Sequence, residues 1–406
     1  MRVALVAVLV AACGGWVPAL PSKGGPAWVE VQSEHFTLWT DAGAGRGTEL
    51  VEQMEYLHQI VFGVAFPAWN GAGRTFAISL RDSRELHAYI PNQFGALSVV
   101  GDNPLHDRVI MFAADTSEID GNVLTHELTH VISSLAIPQQ PPWFAEGIAQ
   151  FFETTRLDPS KADVDVGEPL VHQVEAARRE FLLPGDQLFA CKRMECRDHR
   201  FYATAAFAFA YLANTHPTQL AALEARLAQD QPPEQAWAAA LPDLPLANLD
   251  RVLRAWEIDG EHRIWHFHVK LLQPRLVHRT LAETDVLAIR AFLGASPDSI
   301  KAALAADPTN VIANLVANYE RKGISLPAAR AVAQAHPDDW RAWELVLEAH
   351  ASGDEAKIAR AHACTLAARN AANLVPAKLC PSVHAVDAVP GGGEDSDQPA
   401  RPEQVP

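Results

Sequence analysis

Positive charge is what this 406-residue chain has little of: 33 Lys and Arg stand against 49 Asp and Glu, for a formal charge of −16 and a pI near 5.5. Phosphate contacts need clustered cations, and the sequence has no such cluster, which argues against a nucleic-acid partner. Long apolar runs are also missing. No stretch approaches the ~18 uninterrupted apolar residues of a spanning helix; the N-terminal run, residues 3–12, has only ten. Cysteine is scarce, with five in all, so Cys191-x4-Cys196 has no second pair of soft ligands nearby with which to build a metal site. Charged residues amount to 20% against 49% apolar ones, which excludes a disordered chain and allows a sizeable core, two domains and tails.

A short basic start, Met1-Arg2, precedes that apolar run, the pattern of an export signal. Val10-Ala11-Ala12-Cys13 resembles the bacterial lipobox, which implies a lipidated Cys13 as the first mature residue; the alternative is an ordinary secretory signal with an incidental cysteine. Gly14 follows, where the resemblance associates Asp with inner-membrane retention. The expected location is the cell envelope, on the periplasmic side of the outer membrane or at the cell surface, anchored through Cys13 only. The other four cysteines, in an oxidising compartment, suggest pairs Cys191 with Cys196 and Cys364 with Cys380.

Short alternations of aromatic and β-branched residues mark strands over 28–31, 35–40 and 74–80, and two more over 95–100 and 108–112 flank a turn-like Gly-Asp-Asn-Pro. Residues 49–66 carry apolar side chains at helical spacing, 83–89 a short helix. Residues 155–182 read as a long surface excursion, 201–212 as a helix of small residues, and 264–271 as a strand with His266 and His268 on a wet face or, less economically, as metal ligands.

The chemistry centres on Thr125-His126-Glu127-Leu128-Thr129-His130 and Trp143-Phe144-Ala145-Glu146-Gly147. On a helix, His-Glu-x-x-His sets two imidazoles one turn apart with a carboxylate between them, the arrangement of a zinc site with its general base. The spacing predicts a helix from a capping box at Ser117 and Asp120 to a stop before Pro138. Leu124, Leu128, Val131 and Leu135 fall on one stripe, and His126 and His130 on the opposite side. Pro141-Pro142 opens a second helix that buries Phe144, Ile148, Phe151 and Phe152 and turns Glu146 outward with Glu153. Two antiparallel helices then bring three ligands together: His126, His130 and Glu146.

These motifs, and Trp-Phe-x-Glu-Gly-x-Ala in particular, resemble the gluzincin zinc metallopeptidases over roughly residues 28–215. The resemblance implies Zn2+ held by His126, His130 and Glu146, with Glu127 as catalytic base. It also implies an oxyanion donor downstream, for which Tyr202 is preferred over His199 and Arg200. Glu153 is a candidate to orient a ligand histidine, and the strand at 95–100 a candidate edge for substrate. The glutamate that aminopeptidases of this clan carry there is absent, favouring an endopeptidase. The 15 residues between the second histidine and Glu146 are fewer than in the best-known members, so the connection must be tight.

Beyond Pro274 the sequence becomes Ala-rich and helical, with Asp307-Pro308 and His336-Pro337 at an offset of 29 residues. It resembles tetratricopeptide-type repeats weakly; a plain bundle is the alternative. The expected architecture is α+β: signal 1–12, anchor linker 13–26, a zincin-like metallopeptidase domain 27–272 (a small twisted sheet plus active-site helices), an all-α repeat-like domain 273–385 and a disordered tail 386–406. The expected partners are a peptide or protein substrate and a protein bound by the helical domain. The alternative function is a catalytically weak zincin-fold lipoprotein that acts as a protein-binding module.

Overall fold

Alternating residues near the start become an antiparallel pair, β1 (Val29–Gln32) and β2 (Phe36–Thr40). Helix α1 (Ala44–Ala65) follows, with Leu50, Met54, Leu57 and Val61 buried at helical spacing. It returns the chain to β3 (Thr75–Leu80), parallel to β2. The short α2 (Ser83–Leu86) is capped by Asp82, whose side chain accepts from the Glu85 N–H at 2.9 Å. Then come β4 (Ala96–Val99) and β5 (Arg108–Ala113), antiparallel to each other. The computed structural model describes residues 17–67, 69, 73–91, 95–100, 103–105, 107–115, 121–158, 163–169, 174–175, 182–259, 262–269, 271–294, 297–321, 323–369 and 380. The export signal, Cys13, the cap at Ser117 and Asp120, and the tail 386–406 lie outside the described residues.

Helix α3 (Gly121–Ala136) ends two residues before Pro138, and its apolar stripe of Leu124, Leu128, Val131 and Leu135 is buried. A five-residue turn leads to α4 (Pro142–Glu153), which has Pro at its first position, where a missing N–H costs nothing. Phe144, Ile148 and Phe152 are fully buried, and Trp143 lies 5.1 Å from Phe189 and 5.6 Å from Trp237, ring centre to ring centre.

The excursion expected after α4 instead contains two strands, β6 (Arg156–Asp158) and β7 (Asp163–Val166). They are followed by α5 (Gly185–Ala190), α6 (His199–Thr215), α7 (Pro217–Ala228), α8 (Pro233–Ala240), α9 (Leu249–Asp259), β8 (Trp265–His268) and β9 (Val277–Thr280). One sheet runs β4-β5-β3-β2-β1-β9 and a second runs β6-β7-β8. Every position of β2 and β5 is buried, as expected of strands covered on both faces. Arg108 is accommodated there by donating to the Ser134 hydroxyl at 2.6 Å and the Ser134 carbonyl at 2.9 Å.

The chain divides into two units, residues 1–100 with 108–280, and 101–107 with 281–406. The first reaches beyond the boundary expected at 272 because β9 pairs with β1, Val29 facing Thr280. The regular elements described in the second are helices: α10 (Glu283–Gly294), α11 (Pro297–Ala306), α12 (Val311–Arg321), α13 (Leu326–Ala335), α14 (Trp340–Glu348) and α15 (Gly353–Arg369). Asp339 caps α14 by accepting from the Arg341 N–H at 3.0 Å, and the Cys364–Cys380 disulfide ties down α15. The whole is an α+β protein. No helix among the described residues is long and apolar enough to cross a membrane.

Candidate metal centre

Helices α3 and α4 fold back against each other, so the outward positions of both meet. His126 Nε2 lies 3.1 Å from His130 Nε2, and Glu146 Oε2 lies 3.5 and 3.4 Å from those two atoms. Donor atoms ~2.0–2.1 Å from a tetrahedral zinc are ~3.3 Å apart. The observed triangle has the size of one face of that tetrahedron, and the three residues fit the ion in both number and type.

Electrostatics point the same way. Burial alone disfavours charge on His126, but the carboxylates of Glu146 and Glu153 outweigh it and raise its pKa to about 10. Burial likewise opposes charge on Glu146, yet His126 and His130 hold its carboxyl well below the usual carboxylate range. A point that favours positive charge on a buried imidazole also favours a cation between the same groups.

His126 and Glu146 are each oriented by a neighbour. His126 Nδ1 pairs with Glu153 Oε2 at 2.8 Å, which leaves Nε2 to face the other ligands. Glu146 is 6% exposed, and while its Oε2 faces the histidines its Oε1 accepts from Arg197 Nη1 at 3.1 Å. Gln150 stitches α4 to α6, its Nε2 donating to the carbonyls of Glu146 and Tyr202, both at 3.2 Å. The two helices come this close because position 147 is glycine: a Cβ there would stand 2.7 Å from the Ala205 carbonyl oxygen and 2.8 Å from Phe209 Cβ.

Glu127 stands apart from the triangle and accepts from the Ser98 N–H of β4 at 2.9 Å. Strand β4 is an end strand of its sheet. Tyr202, on α6, has its pKa raised by burial first and then by Glu146, while Arg197 acts in the other direction and Glu127 adds to the rise. His199 and Arg200 begin the same helix.

Arg197 is the residue that sequence reasoning missed. Its one sequence signal is its place between Cys196 and the helix-capping Asp198. The disulfide Cys191–Cys196 forms, which removes these sulfurs as ligands for a second metal. His266 and His268 pair through Nδ1 with Asp165 at 2.6 Å and Asp163 at 3.1 Å on β7, beside a shallow cavity of about 560 Å³. A further group of ligand-type residues, His35, Glu55 and His58, has its two imidazoles stacked 3.9 Å apart with planes 17° from parallel. Lone pairs in stacked rings run side by side, and Glu55 is already engaged by the His35 ring at 2.8 Å and backbone N–H at 2.9 Å. This group belongs to the packing of β2 on α1.

No protein-family model matches the chain, and no curated protein matches it.

Proposed function

We propose that this protein is a zinc-dependent peptidase of the gluzincin type, an endopeptidase held in the cell envelope by a lipid on Cys13. In this reading the first unit is a zincin-like catalytic domain, and the second a helical-repeat-like domain that engages substrate or a partner protein. The observation that carries the proposal is the triangle of His126, His130 and Glu146, with edges of 3.1 to 3.5 Å, beside Glu127.

His126, His130 and Glu146 would hold the zinc, which when bound would supply the Lewis acidity that activates water and polarises a scissile carbonyl. Glu127 takes the proton of the attacking water and passes it to the leaving amine; one of its carboxylate oxygens accepts from the Ser98 N–H, and it stands outside the donor triangle. Tyr202 is a phenol, protonated at neutral pH without any shift, and so serves as the donor for the developing oxyanion. An extended substrate would add to the main-chain groups of the end strand β4 that Glu127 does not already engage, a mode with little sequence preference.

Glu127→Gln tests the proposal directly. The variant should hold zinc at the wild-type ratio and lose cleavage of a diverse peptide mixture by about 10²–10⁴-fold, the usual share of a general base. Unchanged cleavage in the variant, or a wild type that holds no zinc, rejects it.

A further inference from the structure

The guanidinium of Arg197 reaches Glu146 from a segment 51 residues away, and the structure holds that segment from both sides. On one side the Cys191–Cys196 disulfide closes a tight loop whose first cysteine is 4% exposed and packed in the main core. On the other, Asp198 caps α6, its carboxylate accepting from the Phe201 N–H at 3.0 Å. Arg197 therefore sits on a peptide with little freedom, and its guanidinium lies 6.0 Å from the centre of the Phe201 ring.

The contact divides the labour of the Glu146 carboxylate. Oε1 takes the Arg197 hydrogen bond at 3.1 Å, and Oε2 alone faces the two histidines. A carboxylate held by one oxygen presents the other in a fixed direction, which is how a partner behind a ligand tunes a metal site. Among the described residues, no acceptor meets the buried Nε of Arg197.

We infer that Arg197 is a positioning residue for Glu146, and that the Cys191–Cys196 disulfide holds it in place, so that metal retention depends on a staple outside the His-Glu-x-x-His helix. The inference rests on the metal-site reading above.

Two effects of Arg197 on a divalent ion oppose each other. Orientation of Glu146 strengthens binding, whereas the positive guanidinium repels the ion. Removing Arg197 eliminates both, but breaking the disulfide removes the hold and leaves the charge. The zinc Kd, read by competition with a chromophoric chelator on the full chain, separates them. Arg197→Met should raise Kd about 10–100-fold, the typical cost of losing a partner behind a ligand. The Cys191→Ser, Cys196→Ser double variant should raise it in the same direction, and Arg197→Lys should recover part of the loss. Circular dichroism at the assay temperature confirms that each variant is folded, and the partial rescue by Lys is a response that a purely structural role does not produce. A Kd that falls in Arg197→Met and stays level in the double serine variant overturns the inference in favour of repulsion. Variants that bind as tightly as wild type overturn it alone, while a wild type that binds no zinc overturns it together with the metal-site reading.

Discussion

Gly147→Ala sets two ordinary expectations against each other. By helix propensity alone, replacing glycine inside α4 should stabilise the helix by about 1 kcal/mol. At this position, however, the new methyl meets the Ala205 carbonyl oxygen at 2.7 Å and Phe209 Cβ at 2.8 Å. Both fall short of a comfortable separation of ~3.5 Å by roughly 0.7 Å. Neither is the end of a flexible side chain, so the relief must come from α4 and α6 moving apart. Overpacking of this kind costs about 1–3 kcal/mol, and the separation also strains the Gln150 stitch and the Arg197 contact to Glu146. Less the ~1 kcal/mol from propensity, the net loss should be up to about 2 kcal/mol, a fall in Tm of up to roughly 8 °C for a unit of this size. Because Glu146 is the adjacent residue, zinc affinity should weaken along with stability. Thermal unfolding followed at 222 nm and chelator competition measure the two effects. A variant that melts above the wild-type Tm and holds zinc as tightly would show that the helices are not in contact at Gly147, and the argument fails.

Zinc itself should act as a stabiliser, adding about 4 kcal/mol at a thousandfold excess over Kd, or a rise in Tm of roughly 10 °C over chelator-treated protein. His126→Ala should abolish the difference, and identical melts with and without zinc in the wild type refute the site. In the second unit, Glu344 is 4% exposed on α14, and burial, then Glu348, raise its pKa from 4.5 to about 8. The folded state therefore keeps a proton that the unfolded chain releases earlier. The contribution to stability is complete below pH 4.5 and lost as the pH rises through about 8, with a slope of up to ~1.4 kcal/mol per pH unit. Denaturant titrations of Glu344→Gln at pH 5, 6.5 and 8 should show that slope removed; a slope equal to wild type contradicts the assignment.

The helices that carry His126, His130 and Glu146 were legible in the sequence because their signal is local. A stripe at Leu124, Leu128, Val131 and Leu135 fixes the phase of α3, and the same helical period applied to Phe144 and Ile148 fixes Glu146 on α4. Every one of those apolar positions is buried as the periodicity requires. Two of the elements that escaped, β7 and β9, pair with strands far away in sequence. Strand β7 alternates Asp163-Val164-Asp165-Val166 over only four residues, and its partner β8 is about a hundred residues further on. Strand β9, Val277–Thr280, is exposed at all four positions, so no apolar pattern marks it. It joins the sheet through its backbone, and the first unit consequently extends past the expected boundary.

Arg197 illustrates the same limit at the level of the site. The His-Glu-x-x-His pattern specifies which groups are present, but a pattern does not say which way a carboxylate faces. That information comes from other elements: Glu153 at the end of α4 sets His126, Ser98 on an end strand sets Glu127, and Arg197 before α6 sets Glu146. Three neighbours therefore each orient one group, two of them members of the His126, His130 and Glu146 triangle and the third Glu127 beside it. It follows that changes to these three neighbours should weaken zinc binding or turnover while the protein stays folded, whereas a change such as Gly147→Ala, which shifts two helices together, should affect stability and zinc affinity at once.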